Sequence, residues 1–98
     1  MTLEILQVPG CPGADLLAAR LETLFAGLPG FRLTRRIVTS QADAERLGMT
    51  GSPTLLADGT DPFPPSAGQP PSLSCRLYRG SQDGHAPSLA QLRAALEL

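Results

Sequence analysis

Three side chains in this 98-residue sequence carry chemistry of an unusual kind: Cys11, Cys75 and His85. Cys11 lies in Val8-Pro9-Gly10-Cys11-Pro12-Gly13-Ala14-Asp15, between an apolar run and a segment with leucines at helical spacing. A cysteine at a strand-to-helix junction meets unpaired backbone N–H groups and the positive end of the helix dipole, which favour a thiolate nucleophile. Asp15 opposes this by adding negative charge in the first helical turn. The chain contains no lysine, and Arg20, on the same helix, lies more than a turn away. Cys75 is the candidate second thiol. Two cysteines are too few for a disulfide-stapled scaffold or for a tetrahedral zinc site without help. With His85 they would supply three metal ligands only if the fold brought them together, and a solvated loop position suits His85 better. No metal or cofactor is expected.

The elements that must position these residues follow from periodicity and punctuation. Leu3 to Val8 reads as a short buried strand ending at Pro9-Gly10. Leu16, Leu17, Leu21, Leu24, Phe25 and Leu28 share a helical face, with Pro12 suited to the first turn and Leu28-Pro29-Gly30 as the stop. Phe31 to Val38 reads as a strand, and Arg32, Arg35 and Arg36 place it at a sheet edge. Ser40 to Leu47 is a short helix with Ser40 as cap and Gly48 as its end. Leu55 to Asp58 is a short strand. Residues 59–72 hold five of the ten prolines and read as an extended loop. In it, Phe63-Pro64-Pro65 is either a docking element or, the preferred reading, a segment packed over a sheet end. Leu73, Cys75, Leu77 and Arg79 alternate with Ser74, Arg76 and Tyr78 as a half-buried strand. Ser88 caps a last helix whose Leu89, Leu92 and Leu96 face inward.

The order β-α-β-α-β-β-α predicts one domain over residues 1–98. Its first β-α-β is parallel and right-handed, and its last two strands form an antiparallel hairpin. The expected result is an α/β protein with a four-stranded mixed sheet and helices on both faces. In that hairpin Cys75 lies near Asp58, roughly 13 Å along the strand from the Cys11 end at about 3.3 Å per residue. A disulfide needs Cα atoms within about 7 Å. Cys75 is therefore expected to be a buried apolar residue, with a Cys11–Cys75 pair as the minority reading should the proline-rich loop shift the hairpin register.

A net charge of −1 argues against a nucleic-acid footprint. The N-terminal MTLEILQVPG does not read as a secretory signal, and no apolar run is long enough to span a bilayer. A cytoplasmic protein with reduced thiols is expected, and the sequence leaves its oligomeric state open.

This element order, with Gly10-Cys11-Pro12 at the first junction and Gly51-Ser52-Pro53-Thr54 before the third strand, resembles the thioredoxin-like fold superfamily in its compact, glutaredoxin-sized form. The resemblance covers nearly the whole chain. It implies a cis Ser52–Pro53 bond beside the reactive cysteine, whereas Ser-Pro alone reads as an ordinary trans bond. It also implies a substrate groove formed by Pro12, Ser52, Pro53 and Thr54. Ala14 stands where the second cysteine of Cys-x-x-Cys would be, so the local dithiol couple is absent. What remains is monothiol exchange at Cys11 with a protein or low-molecular-weight thiol or disulfide, or reaction of that thiol with a soft electrophile. The alternative is a non-catalytic binding module. The chain is also similar to short bacterial thioredoxin-like proteins grouped with organomercurial lyases, which implies soft-metal handling by Cys11 with Cys75.

Overall fold

The computed structural model describes residues 1–64 and 68–98. The reading of Phe63-Pro64-Pro65 therefore lies partly outside the described residues, at Pro65.

Strand β1 (Thr2–Gln7) is the centre of the molecule. Its alternation sends side chains to opposite faces of the sheet. Leu3 and Ile5 join a core with Leu17, Leu21, Leu55, Leu92 and Leu96, while Leu6 joins a second core with Val38, Ala44 and Met49. Helix α1 (Pro12–Phe25) lies against the first core, and helix α2 (Gln41–Leu47) contributes Ala44 to the second. Strand β2 (Arg32–Ile37) runs parallel to β1, with Thr2 opposite Arg32 and Gln7 opposite Ile37. It is a mostly exposed edge, as its arginines predict.

The helices begin where the caps indicate. Ser40 Oγ accepts the Asp43 N–H at 3.1 Å. Ser88 and Gln91 form a reciprocal capping box at the start of helix α3 (Leu89–Ala95). Some apolar side chains do not face the interior as their spacing suggests. Leu16, Leu28 and Leu89 are exposed, and α1 instead packs Gly13, Ala14 and Ala18 inward. Small residues there let the helix approach the sheet closely.

The strands after α2 depart from the expected hairpin. Thr50–Ser52 forms strand β3 and Thr54–Ala57 forms strand β4, separated by Pro53. β4 pairs antiparallel with β1 on the side away from β2, giving a three-stranded mixed sheet in the order β2-β1-β4. Ser72–Cys75 forms strand β5, which pairs parallel with β3 in a separate two-stranded sheet. The single four-stranded sheet of the sequence reading is thus replaced by two sheets. The connection between β3 and β5 is long enough for a parallel return, which needs about a dozen residues or more. Leaving β4, the chain turns at Asp58 and Gly59, both at positive φ, and Thr60 bridges back to Ala57.

Candidate functional site

Cys11 is the N-cap residue of α1, with φ −78° and ψ 110°. Its carbonyl accepts the Ala14 and Asp15 N–H groups at 3.2 and 3.4 Å. Pro12 occupies the first helical turn, where its missing N–H costs nothing, and is exposed. The Cys11 side chain makes no capping hydrogen bond and is 7% exposed, within the core cluster that includes Ala14, Leu17 and Ala86.

Three segments converge behind Cys11. A Cβ on Gly13 would sit 2.4 Å from the His85 carbonyl oxygen and 3.1 Å from Pro53 Cδ. Only glycine allows the helix start, the 52–54 turn and the 85–86 loop to close on one another. Arg20 holds that loop by donating to the Ala86 and Pro87 carbonyls at 3.2 and 3.0 Å and to Asp83 at 2.6 Å. The Arg20 guanidinium holds the Asp83 carboxyl below its usual range. The His85 imidazole stays exposed while its backbone packs on Gly13.

The Ser52–Pro53 bond is cis. Four hydrogen bonds from within the chain hold this turn. Ser52 Oγ accepts the Val8 N–H at 3.0 Å. The Ser52 carbonyl accepts the Arg76 N–H at 3.0 Å. Thr54 Oγ1 donates to the Gly51 carbonyl at 2.6 Å, and the Tyr78 hydroxyl donates to the Pro53 carbonyl at 2.5 Å. Ser52, Pro53 and Thr54 are all buried. Gly51 adopts φ +126°, and a Cβ there would lie 2.7 Å from Arg76 Cβ.

Arg76, Tyr78 and Asp61 are the parts of this site that the sequence reading missed. The Arg76 side chain, 9% exposed, pairs with Asp61 at 2.7 Å. It also donates to Thr50 and Thr54 hydroxyls at 3.2 and 3.4 Å and to the Phe63 carbonyl. Its guanidinium lies 4.9 Å from the Tyr78 ring centroid, and Phe63 meets the same ring edge-on at 5.7 Å. Burial pushes the Tyr78 phenol up; Arg76 opposes the shift, while Asp61 and Cys11 add to it. No spacing motif links Asp61, Arg76 and Tyr78. The only signal was that Tyr78 is the sole tyrosine of the chain.

The fold adds a cation that is distant in sequence, and it corrects the placement of Cys75. Arg35 reaches across from β2 to bond Asp15 at 2.5 Å and Gln7 at 2.7 Å, so a cation does stand beside the start of α1. Cys75 is exposed, not buried. Leu73 packs against the second core as the pattern expects, but from Cys75 onward burial runs in the opposite phase: Arg76 and Tyr78 go in, while Cys75 and Leu77 face out. The hairpin register that separated Cys75 from the site also falls, because Cys75 pairs with Ser52, next to Pro53. Both thiols are free. Cys75, and not Cys11, borders a cleft of about 590 Å³ with Phe63, Leu77 and Arg79. Among the described residues, no three of the His, Cys, Asp and Glu side chains come together as a metal site, so Cys11, Cys75 and His85 do not form one. No described helix is long and apolar enough to cross a membrane.

No protein-family model matches this chain, and no match is found among curated proteins or solved structures.

Proposed function

We propose that this chain is a thioredoxin-like protein of compact, glutaredoxin size whose reacting group is the Cys11 thiol. The observation that carries the reading is the placement of Cys11 at the N-cap of α1, two residues before the Gly13 that packs on cis-Pro53. The β2-β1-β4 order, parallel on one flank of β1 and antiparallel on the other, supports the fold reading. Arg35 pairs with the Asp15 carboxylate in the first turn of α1, beside the residue that carries the thiol.

The chemistry is monothiol exchange. The Cys11 thiolate attacks one sulfur of a disulfide, forming a mixed disulfide as the substrate S–S bond breaks. The departing sulfur leaves as a thiolate and takes a proton from water. A second external thiolate then attacks the substrate sulfur and returns Cys11 as a thiolate. The substrate class is a protein or low-molecular-weight disulfide, and a reducing cytoplasm is the compartment that keeps such a thiol ready.

The burial of Cys11, at 7% exposure, favours one second reading: a module that keeps the fold for binding without thiol chemistry. The Cys75→Ser chain separates the two. Mixed with glutathione disulfide at neutral pH, folded Cys11 should form the mixed disulfide faster than Cys11 of the urea-unfolded chain. If Cys11 reacts only after unfolding, the thiol reading falls and the binding module stands.

A further inference from the structure

Strand β5 is an unusual neighbour for the site. It belongs to a two-stranded sheet with β3 and not to the sheet built on β1. Across the strand pair and its two ends, Ser72 N–H donates to the Met49 carbonyl at 2.9 Å and Arg76 N–H to the Ser52 carbonyl at 3.0 Å. The register between them is irregular. A strand edge with free carbonyls is a template for any extended chain, because main-chain hydrogen bonds need no particular sequence. At the edge beside cis-Pro53 this protein supplies the extended chain itself. The end of the segment is then fastened by the Tyr78 hydroxyl on the Pro53 carbonyl and by the buried Arg76 side chain.

The geometry points to residues 72–78 as an internal occupant of the peptide-binding edge beside cis-Pro53, held shut at its end by the Tyr78 hydroxyl. This inference rests on the reading of Cys11 as the reacting thiol. An incoming polypeptide and residues 72–78 would use the same Ser52 and Pro53 carbonyls, so one excludes the other. The internal strand is tethered, and a tether gives it an effective concentration on the order of millimolar. A free peptide must exceed that advantage. A small disulfide that needs no strand pairing escapes the competition. The device selects small disulfides over extended polypeptide ones until the segment lifts.

The test uses the Cys75→Ser chain with and without Tyr78→Phe, which removes the hydroxyl and keeps the ring against Phe63 and Arg76. Two probes report on Cys11: glutathione disulfide, and a short extended peptide bearing a glutathione mixed disulfide on its central cysteine. Amide exchange at Arg76 reports on the strand with no chemistry at Cys11. Tyr78→Phe should speed exchange at Arg76 by at least roughly fivefold, the low end of what one unanswered buried carbonyl costs. It should raise the peptide-probe rate by the same factor and leave the glutathione rate unchanged. Unchanged exchange at Arg76, or an equal rise with both probes, overturns the inference. If Tyr78→Phe does not fold, Ser72→Pro removes the N–H at the other end of the strand and is judged by the same criteria. Failure of the thiol reading looks different: folded Cys11 then ignores both probes, and exchange at Arg76 alone decides whether the Tyr78 hydroxyl holds the strand.

Discussion

Tyr78 makes the stability of this protein sensitive to alkali in a way that can be worked out beforehand. The phenol is buried, donates to the Pro53 carbonyl at 2.5 Å and is pushed up chiefly by burial. Below the unfolded phenol value of about 10 the group is protonated in both states, and its contribution to stability is fully present. Above that value the unfolded chain releases the proton freely while the folded chain holds it. Stability then falls by about 1.4 kcal/mol per pH unit, until the folded phenol itself ionises. Against a typical total of about 5–15 kcal/mol for a domain of this size, one or two pH units matter.

Tyr78→Phe should behave differently. At neutral pH it leaves the Pro53 carbonyl without its partner and costs about 1–3 kcal/mol. It also removes the alkaline slope that the phenol causes. The two chains should therefore converge in stability between about pH 11 and 12, because the slope of about 1.4 kcal/mol per pH unit takes roughly one to two units to match that cost. Tyr78 is the only tyrosine and tryptophan is absent, so the near-ultraviolet phenolate absorbance follows this one side chain. Urea midpoints measured from pH 8 upwards supply the stability of both chains. Phenolate absorbance that rises near pH 10 while circular dichroism still shows a folded protein would mean that the phenol is not held protonated by the fold. Two stability curves that stay parallel would mean the same.

Three further outcomes follow from the same geometry. Gly13→Ala should destabilise the chain by at least about 1–3 kcal/mol in urea unfolding, because its Cβ would meet the His85 carbonyl at 2.4 Å. Arg76→Ala leaves the nearly buried Asp61 without its cation, with the Phe63 N–H still donating to it, and leaves the Phe63 carbonyl unanswered; it should cost about 3–5 kcal/mol by thermal or urea unfolding. Asp83 lies on the exposed loop, and Arg20 depresses its pKa. Its contribution is present above the unfolded carboxyl value and lost as pH falls through the lower folded one, so Asp83→Asn should flatten the acid limb of the urea-midpoint profile.

Much of the local structure was legible because its causes are local. Ser40 and Ser88 announce helix starts through side-chain bonds to the third residue onward, and the structure contains both. The Cys11-Pro12 junction and the arginine-rich edge strand are readable on the same basis. The segment 72–78 was not legible, and the reason is specific. Alternation shows which residues share a face, but a period of two does not say which face is buried. Leu73, Cys75 and Leu77 are the more apolar set, so hydrophobicity puts them inside. The structure keeps Leu73 against the second core, but beyond the irregular register of the β3–β5 pair it puts Arg76 and Tyr78 inside, with Cys75 exposed and Leu77 at 73% exposure. An arginine can win that contest only with partners waiting. Here they are Asp61, Thr50, Thr54 and the Phe63 carbonyl, all distant in sequence.

The same inversion relocates the chemistry of the site. Read along the chain, Cys11 has an opposing carboxylate and no cation within reach. Folded, Asp15 is taken by Arg35, and the turn beside the thiol is braced by Arg76 and Tyr78. Cys75 sits opposite Ser52 in the strand pairing, yet its side chain faces solvent on the other side of the strand from Arg76 and Tyr78. Joining it to Cys11 would require the segment to turn over, and a one-residue slip that does so would also evict Arg76 from its partners. The buried ion pair that makes residues 72–78 a strap therefore also keeps the two thiols apart. A Cys11–Cys75 disulfide should accordingly form under mild oxidant more readily in Arg76→Ala than in the unaltered chain, a difference that mass spectrometry of unreduced peptides would show. Equal yields in the two chains would mean that Arg76 does not hold the thiols apart.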